Sequence, residues 1–155
     1  MRDRPGFYTD ITSAVNSTAH GRTGEWSLRS HGPKSYFAVG DAWYELPLNH
    51  VAPDPALVEF LVNLSHGNSI LDLGAGVGQY GRHILHREPR ATYAAFDGAV
   101  GARAFSKGLV AHAKLHEFHP SLLPVMDWVV SLEVGEHIPF QFEHAYVRNL
   151  HEHNR

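Results

Sequence analysis

The segment 70–78, with the sequence ILDLGAGVG, constrains the fold more than any other part of the chain. The residues before it, Ser69–Leu73, have the apolar character of a buried strand, and Gln79–Arg87 reads as a helix that Pro89 ends. Three glycines stand at alternate positions between them. Because glycine has no Cβ atom, the backbone of such a turn can approach a ligand closely. The segment therefore predicts a strand, a ligand-binding turn and a helix in succession.

The same rhythm of strand and helix continues along the chain. A helix is predicted over Pro55–Ser65, because Asp54 can cap its free N–H groups and Pro55 suits the first helical position. The further predicted elements are a strand over 91–97, a helix over 99–107, a weak strand within 109–115, a strand buried on both faces within 126–134, and a helix over 140–153. This alternation predicts an α/β, Rossmann-like fold with a mostly parallel sheet and helices on both faces.

The first 50 residues differ from the rest in pattern. Residues 1 to about 34 are rich in Gly, Ser, Thr and Arg and show no sustained period. Two short apolar runs, 36–39 and 42–46, flank Gly40 and Asp41, which suit a tight hairpin turn. We therefore predict an N-terminal arm or cap over 1–50 with a β-hairpin, and a ligand-binding domain over 51–155.

Composition excludes several function classes. The chain has 13 Lys and Arg against 16 Asp and Glu, a net charge of −3, so nucleic acid is not expected as a partner. It has no cysteine, which excludes disulfides, thiolate zinc sites and a cysteine nucleophile. No signal-peptide pattern and no run long enough for a membrane span occurs, so we expect a cytoplasmic protein without membrane contact.

Two acids indicate the charge of the ligand. Asp72 stands near the end of the strand before the glycine turn, where it would repel a pyrophosphate but attract a cation. Asp97 ends the next predicted strand, where a carboxylate can accept hydrogen bonds from both ribose hydroxyls. Two alternatives stay open. Residues 76–81 formally fit the G-x-G-x-x-G pattern of nicotinamide-dependent oxidoreductases, and Asp97 alone could be a helix N-cap.

These residues together resemble class I S-adenosylmethionine-dependent methyltransferases. DLGAGVG at 72–78 is similar to the first motif of that family, Asp97 to the acid of its second, and DWVVSLEVGEHIP at 127–139 to its fourth strand and following Glu-x-x-Glu-His loop. The resemblance covers 69–155 and implies methyl transfer to a small-molecule or other O/N acceptor. It implies S-adenosylmethionine as the cofactor, bound by Asp72, Gly74, Gly76, Gly78, Asp97 and Glu133.

Histidines offer candidate catalytic and metal-binding groups. His137 follows the fourth strand, where it could take a proton from an acceptor or orient it, with Glu136 as its neighbour. The alternative is that both cap the following helix. His112, His116 and His119 have the spacing of a helical ligand set, but solvated or hydrogen-bonded histidines are the ordinary outcome, and we expect no metal.

The sequence departs from the family pattern in two places. Lys114 stands where an acid near the adenine is usual, and a backbone contact from Ala113 or Leu115 is the alternative. The chain stops where the family's fifth strand would begin, so an incomplete fold is expected, with a catalytically inactive binding protein or a fragment as the alternative function. The uncovered edge of the fourth strand then predicts self-association.

Overall fold

The computed structural model describes residues 27–31, 34–39, 42–45 and 52–155, with side chains from residue 52 onward. Its helices are α1 (Pro55–Ser65), α2 (Gln79–Arg87), α3 (Ala102–Phe105) and α4 (Glu143–Glu152). Its strands are β1 (Ser27–His31), β2 (Lys34–Val39), β3 (Ala42–Glu45), β4 (Ser69–Leu73), β5 (Thr92–Asp97), β6 (Ala111–His112) and β7 (Trp128–Val130). Two 3-10 turns, Gly135–His137 and Phe140–Phe142, precede α4.

The main sheet has four parallel strands in the order β6-β5-β4-β7. β4 lies between β5 and β7, with Leu71 opposite Ala94 on one side and Val129 on the other. Parallel neighbours need a crossover between them, and α2 supplies the one between β4 and β5. The predicted α/β class with a parallel sheet is confirmed.

Helices cover both faces of this sheet. Because side chains alternate across a strand, Ile70 points to the face that carries α1 and α2, where it packs with Val58 and Ile84. Leu71 and Leu73 point to the opposite face, where they pack against Tyr146 of α4. Leu71 is fully buried and Ile70 is 1% exposed, so β4 is the centre of the core.

Helix α1 begins where the sequence predicts it. The Asp54 carboxylate accepts hydrogen bonds from the backbone N–H groups of Ala56 at 2.8 Å and Leu57 at 3.0 Å. Pro55 occupies the first turn, where its missing N–H leaves no partner unsatisfied. The cap and both helix bounds are confirmed.

The strand predicted within 126–134 is shorter and more exposed than expected. β7 covers only Trp128–Val130, and Trp128 is 46% exposed, so the expectation of burial on both faces is wrong. Beyond it the Ser131 hydroxyl donates to the Leu73 carbonyl at 2.5 Å, a side-chain bond that takes the place of the next backbone pairing. Glu133 then has a φ of 56°, which takes the chain out of the extended conformation.

Helix α3 is also shorter than the predicted 99–107. The Asp97 carboxylate accepts a hydrogen bond from the Ala99 N–H at 2.7 Å, and this turn occupies the start of the predicted helix. Gly101 follows with a φ of 94° and stands just before the helix. The helix therefore begins at Ala102.

Asn154 lies at the outer edge of β7. Its side-chain carbonyl accepts a hydrogen bond from the Val129 N–H at 3.0 Å, and its backbone forms a parallel bridge with Met126. Part of the edge is thus bonded within the chain. Self-association through β7 stays a prediction.

A second sheet, antiparallel, has the order β1-β2-β3. Val39 of β2 pairs with Ala42 of β3, the register that a hairpin with two connecting residues requires. β1 was not predicted, and it contacts α3. The rest of the predicted N-terminal arm lies outside the described residues, and the division into 1–50 and 51–155 stays a prediction. No helix in the described part of the chain is long and apolar enough to cross a membrane.

Candidate functional site

The candidate site lies at the carboxyl edge of the parallel sheet. The glycine turn 74–78 follows β4, Asp97 ends β5, and the loop 131–137 follows β7. Ligands of open α/β sheets bind outside the carboxyl ends of the strands. The topology therefore brings the three predicted groups of site residues to one edge.

Two of the turn glycines are required by contacts within the protein. Gly74 has a φ of 90°, and a Cβ atom there would lie 2.1 Å from Cγ2 of Val134. Gly78 has a φ of 76°, and its Cβ would lie 3.0 Å from Leu109. Residues with a Cβ atom rarely adopt these φ values, so the backbone conformation and the lack of space both favour glycine at these positions. Val134 thereby ties the loop after β7 to the glycine turn.

Gly76 differs from the other two glycines. Its φ is 56°, and a Cβ there would meet only Oε1 of Gln79, at 3.7 Å. That Gln79 oxygen is buried and has no hydrogen-bond partner in the described part of the chain. Because buried polar atoms are nearly always bonded, an acceptor left unpaired beside an open backbone position suits a donor from a ligand. The middle of the turn therefore has room and an acceptor for such a group.

Asp72 is a buried acid next to the turn. It is 7% exposed, and the Tyr93 hydroxyl donates to its Oδ2 at 2.7 Å. Burial raises the pKa of the Asp72 carboxyl from 3.8 to about 6, because an ion loses solvation there. The Tyr93 hydrogen bond opposes this rise, and the nearby charge of Asp97 adds to it. At neutral pH Asp72 is therefore mostly ionised, but at a cost in stability.

Asp97 fastens the glycine turn to the end of β5. Its Oδ2 accepts from the Gly76 N–H at 2.7 Å and its Oδ1 from the Ala99 N–H at 2.7 Å. Burial raises the pKa of Asp97, while these two hydrogen bonds and His112 oppose the rise. Asp97 is not the N-cap of α3, which is Gly101. Each oxygen keeps a second lone pair for a ligand hydroxyl, and the ribose contact stays a prediction.

The loop after β7 carries the other candidates. Glu133 and Glu136 are exposed and His137 is half-buried, within or next to the turn Gly135–His137. Helix α4 begins after Phe142 without a side-chain cap, so Glu136 and His137 do not cap it. Their catalytic roles, and cofactor binding by Glu133, stay predictions.

Lys114 and its neighbours follow β6 at the same edge. The Lys114 ammonium lies 3.5 Å from Oε1 of Glu117. The Lys114 backbone carbonyl is hydrogen-bonded to Nε2 of His119 at 2.7 Å. The backbone oxygen of Ala113 lies within 3.7 Å of the position that a Cβ on Gly98 would take. The backbone of this segment, more than the lysine ammonium, therefore adjoins the end of β5.

The histidines of the same segment do not share a helix. His112 lies on β6, and residues 113–119 form an irregular loop with a turn at 115–116, so no helix brings the three histidines to one face. His116 is buried against the Phe142 ring, with 4.9 Å between ring centroids. Among residues 52–155 no group of three or more His, Cys, Asp or Glu could hold a metal ion.

Two residues of the site were not predicted. Tyr93 bonds to Asp72 and Gln79 adjoins Gly76, but neither stands at a position where the glycine motif specifies a residue. One signal for Tyr93 is visible in the sequence, since a large phenol stands in β5 beside two alanines and Gly81 stands in a helix. A small residue on one element often marks a large one on its neighbour.

Comparison with known proteins gives distant similarities. No family model and no curated protein matches the sequence. A SAM-dependent methyltransferase from Bacteroides fragilis, in complex with S-adenosyl-L-homocysteine, is similar in structure at 17% identity and a TM-score of 0.45, with 77% of this chain and 48% of that one covered. The plantazolicin methyltransferase BpumL, in complex with SAH, is similar at 15% identity and a TM-score of 0.38, with 61% and 54% covered. The chain spans about half the length of these two proteins.

Proposed function

We propose that this chain binds S-adenosylmethionine at the carboxyl edge of the parallel sheet, as part of a methyltransferase that acts on a small-molecule or other O/N acceptor. The observation that carries the proposal is a pair of acids at the glycine turn, of which Asp72 is buried and Asp97 half-buried. Asp72 and Asp97 lie close enough for the charge of Asp97 to raise the pKa of Asp72. Like charges held together in a protein are costly unless a cation compensates them.

The sign of this charge separates the two cofactor classes. A dinucleotide would bring a pyrophosphate to the turn, where two carboxylates would repel it. S-adenosylmethionine carries an ammonium and a sulfonium, and both would gain from the same field. The two acids therefore favour S-adenosylmethionine over a nicotinamide dinucleotide.

The residues of the turn fit a ligand of this kind. Asp72 would attract the ammonium, and the unpaired oxygen of Gln79 would accept one of its hydrogen bonds beside Gly76. Asp97 would accept from the ribose hydroxyls with its remaining lone pairs. Glu133 directly precedes Val134, the residue that lies against Gly74, and would bind the cofactor from that loop.

The chemistry supplied by the bound cofactor is an electrophilic methyl group on a sulfonium. Methyl transfer depends mainly on the alignment of nucleophile, methyl and leaving group. Glu136 and His137 stand on the loop at the same edge, where His137 would orient the acceptor or remove its proton. The nature of the acceptor would be set by residues around this loop.

Equilibrium dialysis of the purified chain tests the proposal. Labelled S-adenosylmethionine and NAD are compared at the same concentration, with wild type beside Asp97→Asn and Asp97→Ala. We expect S-adenosylmethionine to bind and NAD not to. Asp97→Ala should weaken the binding by about 1.5–3 kcal/mol, the range for a hydrogen bond to a charged group.

The Asp97→Asn variant keeps part of the support for the turn. Its side chain keeps one oxygen and can hold either Gly76 or Ala99, but it loses the charge. Thermal unfolding of both variants shows whether the fold persists. Unchanged affinity in a folded Asp97→Ala protein would remove Asp97 from the site, and tighter binding of NAD than of S-adenosylmethionine would overturn the proposed function. Binding without methyl transfer to any acceptor favours the inactive binding protein.

A further inference from the structure

Tyr93 reaches Asp72 across the face of the sheet. β5 pairs with β4 so that Tyr93 lies opposite Ile70, two residues before the partner of Asp72. The phenol ring spans this distance, and its hydroxyl donates to Asp72 at 2.7 Å. Burial and the Asp72 charge both raise the pKa of Tyr93, so the phenol stays protonated and remains a donor.

Gly81 of α2 makes the space for this ring. A Cβ atom at Gly81 would lie 2.5 Å from three atoms of the phenol, Cε1, Cζ and Oη. Glycine is unfavourable within a helix, and Gly81 is the third residue of α2, so its presence there indicates a packing requirement. The last glycine of the G-x-G-x-x-G pattern thus contacts the tyrosine that holds Asp72.

The charged and titratable groups around Asp72 come from two strands. From β5, Tyr93 donates to it and Asp97 acts on it through its charge. From β6, His112 acts on Asp97. β7 pairs with Asp72 through uncharged Val130, and α2 faces Tyr93 with Gly81. Tyr93 is therefore the group that stabilises the ionised form of Asp72 by a direct hydrogen bond.

We propose that Tyr93, seated against Gly81, is a positioning residue that keeps the Asp72 carboxylate ionised and oriented for a cationic ligand, and thereby sets the lowest pH at which the site binds one. This rests on the proposed function for the identity of the ligand. The effect on Asp72 itself does not depend on any ligand.

The sign of the effect follows from the hydrogen bond. The Tyr93 bond favours the charged carboxylate, so its loss raises the pKa of Asp72 above its wild-type value of about 6. When the pH is lowered, a cation bound by the ionised carboxylate is therefore lost at a higher pH than in wild type. Tyr93→Phe removes only the hydroxyl and keeps the ring against Gly81.

The first experiment follows Asp72 in the ligand-free protein. Carboxyl carbon shifts are recorded by NMR between pH 4 and 8.5 for wild type, Tyr93→Phe and Tyr80→Phe. Tyr80 is a matched control, because it packs against the same hydrophobic cluster as Tyr93, but its hydroxyl accepts a hydrogen bond from the Asp54 N–H at 3.2 Å. We expect the Asp72 midpoint to rise by about one pH unit or more in Tyr93→Phe and to stay in place in Tyr80→Phe.

The second experiment measures S-adenosylmethionine affinity over the same pH range. For a rise of one pH unit, Tyr93→Phe should bind about threefold more weakly than wild type at pH 6.5 and approach it at pH 8.5, where Asp72 is ionised in both proteins. Gly81→Ala, which displaces the ring, should change the profile in the same direction. Asp72→Asn should remove the part of the pH dependence that lies near pH 6.

The outcomes separate this inference from the proposed function. If wild type binds no S-adenosylmethionine but the Asp72 midpoint still rises in Tyr93→Phe, the proposed ligand is wrong and the role of Tyr93 in holding the charge stands. If the midpoint is unchanged, or if the Tyr93→Phe and wild-type binding profiles are parallel at every pH, Tyr93 is only a packing residue and the inference is overturned.

Discussion

The two sides of the candidate site hold their acids in opposite ways. On the β4 and β5 side, Asp72 is buried and Asp97 half-buried, both are hydrogen-bonded, and loss of solvation raises the pKa of both. On the β7 side, Glu133 and Glu136 are exposed, and the strain lies in the backbone, where Glu133 has a φ of 56°. In the first region the loss of stability comes from charge removed from water, and in the second it comes from an unfavourable backbone conformation.

This difference indicates which contacts each region is suited to make. Buried charges that lower stability are usually retained where a ligand needs them, because stability alone would favour their removal. An exposed loop that contains a strained residue can present its side chains to a larger and more variable partner. The enclosed side therefore suits a cofactor with fixed positive groups, and the exposed side suits an acceptor.

The contact between the two sides gives the largest expected effect. Gly74→Ala places a Cβ 2.1 Å from Val134 at a φ of 90°. We expect it to destabilise the protein by about 2–5 kcal/mol, from the left-handed backbone and the overpacking together. Urea unfolding monitored by circular dichroism measures the change.

Gly76→Ala is the matched control for that variant. It has a positive φ, but its Cβ would stand in open space except for Gln79. It should cost only about 1 kcal/mol, the backbone part. Val134→Ala in the Gly74→Ala background should restore part of the loss. Equal effects of the two glycine variants would mean that Val134 does not hold the β7 loop against the turn.

Asp72→Asn should stabilise the ligand-free protein. A raised pKa in the folded state means that the folded protein binds the proton more tightly, so stability falls as the pH rises from 3.8 to about 6. Asparagine removes the charge and can still accept from Tyr93. Unfolding at pH 8 should require about 1–3 kcal/mol more free energy than in wild type.

The pH dependence of this gain identifies its cause. The advantage of Asp72→Asn should shrink as the pH is lowered toward 4, where wild-type Asp72 is also neutral. At the same time S-adenosylmethionine should bind more weakly at pH 8, since the ammonium loses its counter-charge. A variant that is less stable than wild type at pH 8 would show that Asp72 serves the fold rather than the ligand.

Much of the enclosed side could be predicted from the sequence, because its signals are local. The bounds of α1, β4 and α2 follow from a capping acid before a proline, an apolar run and a glycine turn. The position of Asp72 and Asp97 at strand ends follows from the same periodicity. Each of these features is determined by residues that lie close together in the sequence.

The features that the sequence did not predict depend on residues far apart in the chain. The hydrogen bond from Tyr93 to Asp72 joins two strands, and the contact of Gly74 with Val134 joins two loops. The apolar run 126–134 suggests a long buried strand, yet β7 has only three residues, because Ser131 bonds to β4 by its side chain. Apolar character indicates burial but does not say which element provides it.

The smallest expected effect tests the conformational cost on the exposed side. Glu133 and Lys107 are the non-glycine residues with positive φ in the described part of the chain. Glu133→Gly should stabilise the protein by about 1 kcal/mol, because glycine adopts this conformation without a Cβ clash, less its greater freedom in the unfolded chain. Glu133→Ala keeps the Cβ and should leave the stability nearly unchanged. If Glu133 contacts the cofactor through its side chain, both variants weaken S-adenosylmethionine binding equally although only one is stabilised. A gain of stability in both variants would place the cost in the carboxylate instead, and the two sides of the site would then be strained in the same way.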